Sequence, residues 1–132
     1  MLAVLLVLVQ SLWQLACTSG TAPDQQFNYP DSNLSFREHI RPIFLSSCAN
    51  QQGCHISSDP AGLLDLETDQ PTFTGQSGLD VVPFNPQQSL LYRLLLREEA
   101  GIPRMPLNQA PLPEAQIQAI RQWIAEGANT DN

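Results

Sequence analysis

Two cysteines and a histidine near the middle of the 132-residue chain are the residues best suited to chemistry. Cys48 and Cys54 are separated by five residues, and His55 follows the second cysteine directly. A cysteine followed at once by histidine ends the C-x-x-C-H motif, in which two thiols add to haem vinyl groups and the imidazole reaches the iron. The usual two-residue spacing is widened here, so the pattern on its own predicts either haem attachment or a disulfide.

A methionine in the second half of the chain could complete a haem site. The sequence contains only Met1 and Met105, and Met105 lies in the irregular segment Gly-Ile-Pro-Arg-Met-Pro rather than on an apolar helical face. A thioether is a common sixth ligand of haem iron. The neighbouring Arg104 can pair with a haem propionate or with a surface carboxylate, and both interpretations stay open.

Two alternatives use the same cysteines without haem. A Cys2His2 set, which is a common set of zinc ligands, could be formed by Cys48, Cys54, His55 and His39. His39 would have to fold back from a helix to join it. A disulfide between Cys48 and Cys54 would instead staple a haem-free binding or structural domain. Nucleophilic catalysis has no support, because no Asp-oriented histidine, G-x-S-x-G pattern or phosphate loop accompanies the cysteines.

The first 17 residues carry the pattern of an export signal. Residues 1–9 are uniformly apolar, which is too short for a bilayer span but fits the core of a signal peptide. The tripeptide ending at Cys17 resembles a lipobox, although Gln14 replaces an aliphatic residue and no cation precedes the apolar run. We therefore predict export, a lipid on Cys17 and a flexible tether over residues 18–34. An ordinary signal peptide or a buried apolar strand is the alternative.

The charge balance restricts the classes of partner. The chain has 13 acidic residues against six cations, all of them arginine, and a formal net charge of −7. Nucleic acid is excluded as a partner class by this balance, because binding to phosphates requires a basic face. An acidic protein is predicted to meet a partner with a basic docking face.

Three amphipathic segments are predicted to form the helices that hold the candidate residues. Ser35 and Glu38 form a capping box at the start of the first helix, and Pro42 should kink or end its regular part. The second helix is predicted to run from residue 85 to a stop at Gly101, and the third from residue 113 to a stop at Gly127. Helical spacing connects the apolar residues Phe36, Ile40, Ile43 and Phe44, then Leu90, Leu91, Leu94 and Leu95, then Ile117, Ile120, Trp123 and Ile124.

The stretch between the first two helices has no sustained period. Over residues 56–83, Gly, Pro, Asp and Thr recur at short intervals, which predicts a loop with a short strand or turn. Residues 62–66 could supply one or two core contacts there. The predicted fold class is therefore all-α, with three main helices and long irregular loops in one domain over residues 35–132.

Taken in order along the chain, these motifs resemble the cytochrome c domain of the type first grouped in planctomycete proteins. The resemblance covers residues 36–128 and departs from the family pattern in the widened cysteine spacing. The matching segments are Ile-Arg-Pro-Ile at 40–43, the Cys…Cys-His motif at 48–55, Gly-Leu-Leu-Asp-Leu at 62–66, Pro-Gln-Gln-Ser-Leu-Leu-Tyr-Arg-Leu at 86–94, Arg-Met-Pro at 104–106 and the last helix over 112–128.

The resemblance implies a small fold around a covalently bound haem c. Cys48 and Cys54 would form the thioethers, with His55 as the proximal iron ligand and Met105 as the distal one. The first and last helices would pack across each other, as the terminal helices of cytochromes c do. The implied function is that of a single-electron carrier rather than an enzyme, placed in the periplasm or cell envelope and anchored to the membrane by lipid. Its partner would be a redox protein with a basic face.

Overall fold

A computed structural model describes residues 28–49 and 54–132. The predicted signal peptide, the lipid site at Cys17 and the first part of the predicted tether lie outside the described residues. Residues 50–53, within the loop that joins Cys48 to Cys54, also lie outside them. In the part of the chain that is described, no helix combines the length and the apolar character needed to cross a membrane.

The first helical segment changes type part-way along. It begins as a π-helical turn, Phe36–Ile40, and continues as helix α1, Arg41–Ser47. Pro42 lies directly after the change and has no amide hydrogen, so the helix switches its hydrogen-bond register where one bond is missing in any case. The irregularity predicted at Pro42 thus takes the form of a transition from π-helix to α-helix.

The N-cap of this segment is only partly as predicted. The Ser35 hydroxyl oxygen accepts a hydrogen bond from the Glu38 amide at 3.1 Å, which confirms Ser35 as the cap. The second bond of the capping box, from the Ser35 amide to the Glu38 carboxylate, was predicted wrongly. The Ser35 amide instead donates to Nδ1 of His39 at 2.9 Å. His39 therefore has a structural partner of its own at the start of the helix.

Two small antiparallel sheets lie in the segment predicted to be irregular. Strand β1, His55–Ile56, pairs with β2, Asp59–Pro60, and strand β3, Thr74–Gly75, pairs with β4, Gly78–Leu79. A 3-10 turn, Ala61–Leu63, follows β2 directly. The predicted all-α fold class is therefore wrong: residues 28–49 and 54–132 form a small mixed α/β fold with three short helices and two two-stranded sheets. Strands of two residues are too short to show the alternation from which a strand is predicted.

The second predicted helix is broken in two. A 3-10 turn, Pro86–Gln88, is followed by helix α2, Leu90–Leu96. Between them Ser89 is fully buried, and its hydroxyl oxygen accepts from the Val82 amide at 2.9 Å. This buried hydrogen bond holds Ser89 in an extended conformation and so separates the two helical pieces. Helix α2 also ends well before the predicted stop at Gly101, because the backbone is already extended after Leu96.

Helix α3, Glu114–Ala125, packs against the first helical segment through an aromatic cluster. The ring centroid of Trp123 lies 5.7 Å from that of Phe36, 6.2 Å from that of Phe44 and 5.4 Å from that of Phe73. All four rings are buried. The predicted packing of the first and last helices is confirmed, and Phe73 completes the cluster from the irregular segment.

Hydrogen bonds tie the two ends of the described chain to this core. The Glu126 carboxylate accepts from the amides of Asn33 at 2.8 Å and Leu34 at 2.9 Å. The side-chain amide of Asn132 donates to the Leu34 carbonyl at 3.3 Å. Leu34 is also buried and Tyr29 packs against the core, so these two residues of the predicted tether contact the domain.

Candidate functional site

An apolar cavity opens between the end of α1, the first hairpin, α2 and the segment that joins α2 to α3. Its lining is mostly apolar, and its mouth is open to solvent. Four of the predicted site residues line this cavity, namely Cys48, Cys54, His55 and Met105. Helix α2 supplies much of the apolar wall through Leu90, Leu91, Leu94 and Leu95.

His55, the first residue of β1, is held by both its backbone and its ring. The His55 amide donates to the Cys48 carbonyl at 3.1 Å, which closes the loop between the two cysteines. Ring nitrogen Nδ1 lies 3.0 Å from the carbonyl oxygen of Leu64. Because a carbonyl can only accept, Nδ1 carries the hydrogen, and Nε2 of the neutral ring keeps its lone pair. An imidazole oriented in this way is prepared to ligate a metal through Nε2.

The two cysteines lie on either side of the same short loop. Cys48 follows the last turn of α1 and donates its amide hydrogen to the Phe44 carbonyl at 2.8 Å. No disulfide joins Cys48 to Cys54 in the structure. Burial, and to a smaller extent the nearby Cys54, raises the pKa of the Cys48 thiol to about 12. Cys48 is therefore a neutral thiol near pH 7, whereas a nucleophilic cysteine requires a lowered pKa.

Met105 lies in the loop after α2 and is partly buried against the core. Its amide donates to the Leu94 carbonyl at 2.8 Å. That carbonyl is among the last four of α2, which have no partner within the helix. The backbone of Met105 is thus fastened to the helix that forms the cavity wall, and the following residue, Pro106, is buried.

Arg104 is placed differently from the other predicted site residues. It is not among the residues that line the cavity. Its guanidinium donates from Nη1 to the Met105 carbonyl at 3.0 Å and from Nη2 to the Gln109 carbonyl at 2.7 Å. The structure therefore shows Arg104 bound to the backbone of its own loop, and the predicted contact with a haem propionate stays a prediction.

Asp80 is a cavity residue that the sequence analysis missed. It follows β4, is only 6% exposed and lines the cavity. Burial raises the pKa of the Asp80 carboxyl. A hydrogen bond from the Gly75 amide and the electrostatic effect of the nearby His55 both lower this pKa and partly counteract the rise. A side chain at position 75 would collide with the Asp80 carboxylate, so the close approach requires glycine there. An acid flanked by apolar residues is the one sequence signal that could have indicated Asp80.

The zinc alternative is not supported by the arrangement of the side chains. Nδ1 of His39 is occupied by the Ser35 amide, and the His39 ring contacts Tyr29 edge-on at 6.4 Å between centroids. His39 is not among the residues that line the cavity. Across residues 28–49 and 54–132, no three His, Cys, Asp or Glu side chains converge as ligands for a metal ion.

The donor set in the cavity fits a haem with two protein ligands. His55 offers one ring nitrogen, and its other ring nitrogen is already bonded to the Leu64 carbonyl. Met105 offers a thioether, and both cysteines also line the apolar cavity. Apolar surroundings of this kind control the access of water to a metal centre. The chain matches no protein-family model, no curated protein and no solved structure.

Proposed function

We propose that this protein is a mono-haem c-type cytochrome that carries single electrons. The observation that carries the proposal is that Cys48, Cys54, His55 and Met105 all line one apolar cavity. A pair of thiols, an imidazole and a thioether are the groups that attach and ligate a haem c. The order of the sequence motifs, which resembles the planctomycete type of cytochrome c domain, supports the same proposal.

Cys48 and Cys54 are the proposed points of covalent attachment. Each thiol would add across one vinyl group, so that sulfur would bond to one vinyl carbon and the thiol hydrogen would go to the other. This addition needs no external oxidant or reductant. Because His55 follows Cys54 directly, bonding at Cys54 also sets the position of the imidazole.

His55 and Met105 are the residues that would hold the haem iron. The bond from Nδ1 of His55 to the Leu64 carbonyl holds the ring in the tautomer that leaves Nε2 free to ligate a metal. When bound, the haem would supply a one-electron couple. If both residues held the iron, no position would be open for a substrate, so the proposed role is electron transfer rather than catalysis.

The cavity itself supports a large apolar cofactor. On the side that faces the cavity, the leucines of α2 lack packing partners. Filling the cavity would remove apolar surface from water, and this burial stabilises a protein by roughly 25 cal/mol per Å² of surface buried. A bound haem would therefore stabilise the part of the domain that lacks packing partners.

The proposed partner is a redox protein with a basic docking face. The chain carries a formal charge of −7, and two haem propionates would make it more negative. Association between such faces is steered by charge and weakens as salt is added. Export, a lipid on Cys17, and a place in the periplasm or cell envelope belong to the same proposal, and the leader sequence supports them.

The test is covalent haem in the matured protein. The full chain is produced together with a c-type haem maturation system, extracted with acidified acetone, and then reduced. We expect a c-type α-band that survives the extraction, and mass spectrometry of Cys48→Ala should then show one thioether instead of two. A colourless protein, or a haem removed by the extraction, contradicts the proposal.

A second measurement tests the sixth ligand. Met105→Ala should abolish the six-coordinate low-spin spectrum, because the thioether is lost. Leu107→Ala is the matched control, since Leu107 lines the same cavity from the same loop but offers no ligand atom. An unchanged spectrum in Met105→Ala would show that another group holds the sixth position.

A further inference from the structure

We infer that Arg104 is a positioning residue, which closes the loop that carries Met105 and thereby holds the Met105 sulfur where it can ligate iron. The structural argument comes from the contacts of Arg104, while the spectroscopic readout rests on the proposed function. In this role Arg104 acts through the backbone and not through a haem propionate.

One guanidinium bonds two carbonyls of the same loop. Nη1 donates to the Met105 carbonyl at 3.0 Å, and Nη2 donates to the Gln109 carbonyl at 2.7 Å. Hydrogen bonds from a charged donor are stronger than neutral ones, and the planar fork of arginine sets their directions. Among the residues described, the ion pairs of arginine involve Arg41, Arg93 and Arg97, and Arg104 is in none of them.

These bonds leave the backbone of Met105 fixed on both sides. The Met105 amide is bonded to the Leu94 carbonyl of α2 at 2.8 Å, and the Met105 carbonyl is bonded to Arg104. Pro103 and Pro106 further restrict the backbone next to it. Methionine has a long and flexible side chain, so the position of its sulfur depends strongly on where the backbone is held.

If this loop is loosened, Met105 should therefore ligate the iron less well. If the loop spends part of its time away from the cavity, the sixth position becomes accessible to an external ligand in proportion to that fraction. Lysine cannot replace arginine fully, because its ammonium is a point charge without the planar fork that reaches two carbonyls. Arg104→Lys should thus lie between the wild type and Arg104→Gln.

The experiment compares Arg104→Gln and Arg104→Lys with the wild type and with Arg97→Gln. Arg97 is the matched control, because it is exposed, pairs with Glu99 at 3.3 Å and carries the same charge. Imidazole is titrated into each ferric holoprotein while the methionine-to-iron charge-transfer band is followed. We expect the apparent affinity for imidazole to rise about tenfold in Arg104→Gln, less in Arg104→Lys, and not at all in Arg97→Gln.

Amide exchange gives a readout that does not depend on ligand binding. In the reduced, diamagnetic protein, the Met105 amide should exchange about tenfold faster in Arg104→Gln than in the wild type. Should Arg104→Gln fail to fold, the same two measurements on Arg104→Lys decide the matter.

One result would overturn the inference, namely an imidazole affinity and a Met105 exchange rate equal to those of the wild type in both Arg104 variants. If the reduction potential shifted at the same time, Arg104 would act through its charge on the haem instead. If the wild-type chain takes up no haem, the proposed function fails, and Met105 amide exchange in the haem-free chain still decides whether Arg104 holds the loop.

Discussion

The two halves of this domain are held together by different means. Around α3, the rings of Trp123, Phe36 and Phe44 pack on one another and are almost completely removed from solvent. Around α2, the walls are joined largely by backbone hydrogen bonds, such as the 3.0 Å bond from the Leu91 amide to the Asp80 carbonyl. Several of their apolar side chains belong to the buried core and also line the cavity.

The difference indicates where each half obtains its stability. The rings of the aromatic half are buried against one another, and of these rings only Phe44 also lines the cavity. The cavity half gains packing only when something occupies the cavity. Substitutions in the first half should therefore act whether or not a haem is present, and the haem should act mainly on the second half.

The largest effect is expected from removing the centre of the aromatic half. Trp123→Ala should lower the free energy of unfolding by about 3–5 kcal/mol, because it leaves a cavity among three rings. Chemical denaturation followed by circular dichroism measures this. Arg121→Ala, on an exposed position of the same helix, should change the value by less than about 0.5 kcal/mol. A similar loss of unfolding free energy in the two variants would contradict the claim that the aromatic cluster stabilises this half.

In the cavity half, the most sensitive point should be a close backbone approach. Gly75→Ala should lower the free energy of unfolding by about 1–3 kcal/mol, because the new methyl group meets the Asp80 carboxylate and lies 2.8 Å from the Gly62 carbonyl oxygen. Thr74→Ala, an exposed position on the same strand, is the control and should cost about 0.5 kcal/mol. Equal stability of Gly75→Ala and the wild type would contradict the packing described here.

Hydrogen exchange can compare the two halves within one molecule. In the haem-free double variant Cys48→Ala/Cys54→Ala, protected amides in residues 54–110 should exchange at least about tenfold faster than in the matured protein. Amides of α3 serve as the internal reference and should change much less. A uniform loss of protection over both halves would mean that the haem does not act on the cavity half selectively.

The smallest effect concerns a carboxylate of the aromatic half and depends on pH. Burial opposes ionisation of Glu126, but hydrogen bonds from Gln122, Leu34 and Asn33 together lower its pKa below the usual value. A lowered pKa adds stability above the ordinary carboxyl range, and this stability is lost as the pH falls through the folded-state value.

Glu126→Gln should therefore cost about 1 kcal/mol at pH 7, and the gap to the wild type should close under acid. Urea denaturation at pH 7 and at about pH 3 measures the gap. A difference of equal size at both pH values would show that the charge of Glu126 is not what stabilises its contact with Asn33 and Leu34. Gln118→Ala, on the exposed face of the same helix, controls for a general effect of substitution.

The aromatic half is also the one that the sequence predicted best. Helical spacing connects Phe36 with Phe44 in the first helical segment, and Trp123 with its apolar neighbours in α3. Both segments begin at recognisable helix starts, and such local patterns depend on few other residues. The residues of the candidate site could be named from their chemical type, and the structure brings the cysteines, the histidine and Met105 to one cavity. That they bind haem stays a prediction.

The cavity half contains most of what the sequence could not show. Its strands are two residues long, too short to show an alternating pattern, and for that reason the all-α prediction was wrong. The break at Ser89 depends on a bond to Val82, and the burial of Asp80 depends on how the second hairpin folds. The bonds of Arg104 to carbonyls have no signature at all, since any residue offers a carbonyl.

Helix α2 gives the cavity a mechanical property. Its seven residues form a short rigid rod, with the Leu91 amide fastened to the Asp80 carbonyl near one end and the Leu94 carbonyl fastened to the Met105 amide near the other. A displacement of the rod carries both attachments with it, so the walls on its two sides move in concert rather than one at a time. We expect widening of the cavity on one side to require that one of these two bonds breaks, and local openings of this kind fall on the microsecond-to-second scale.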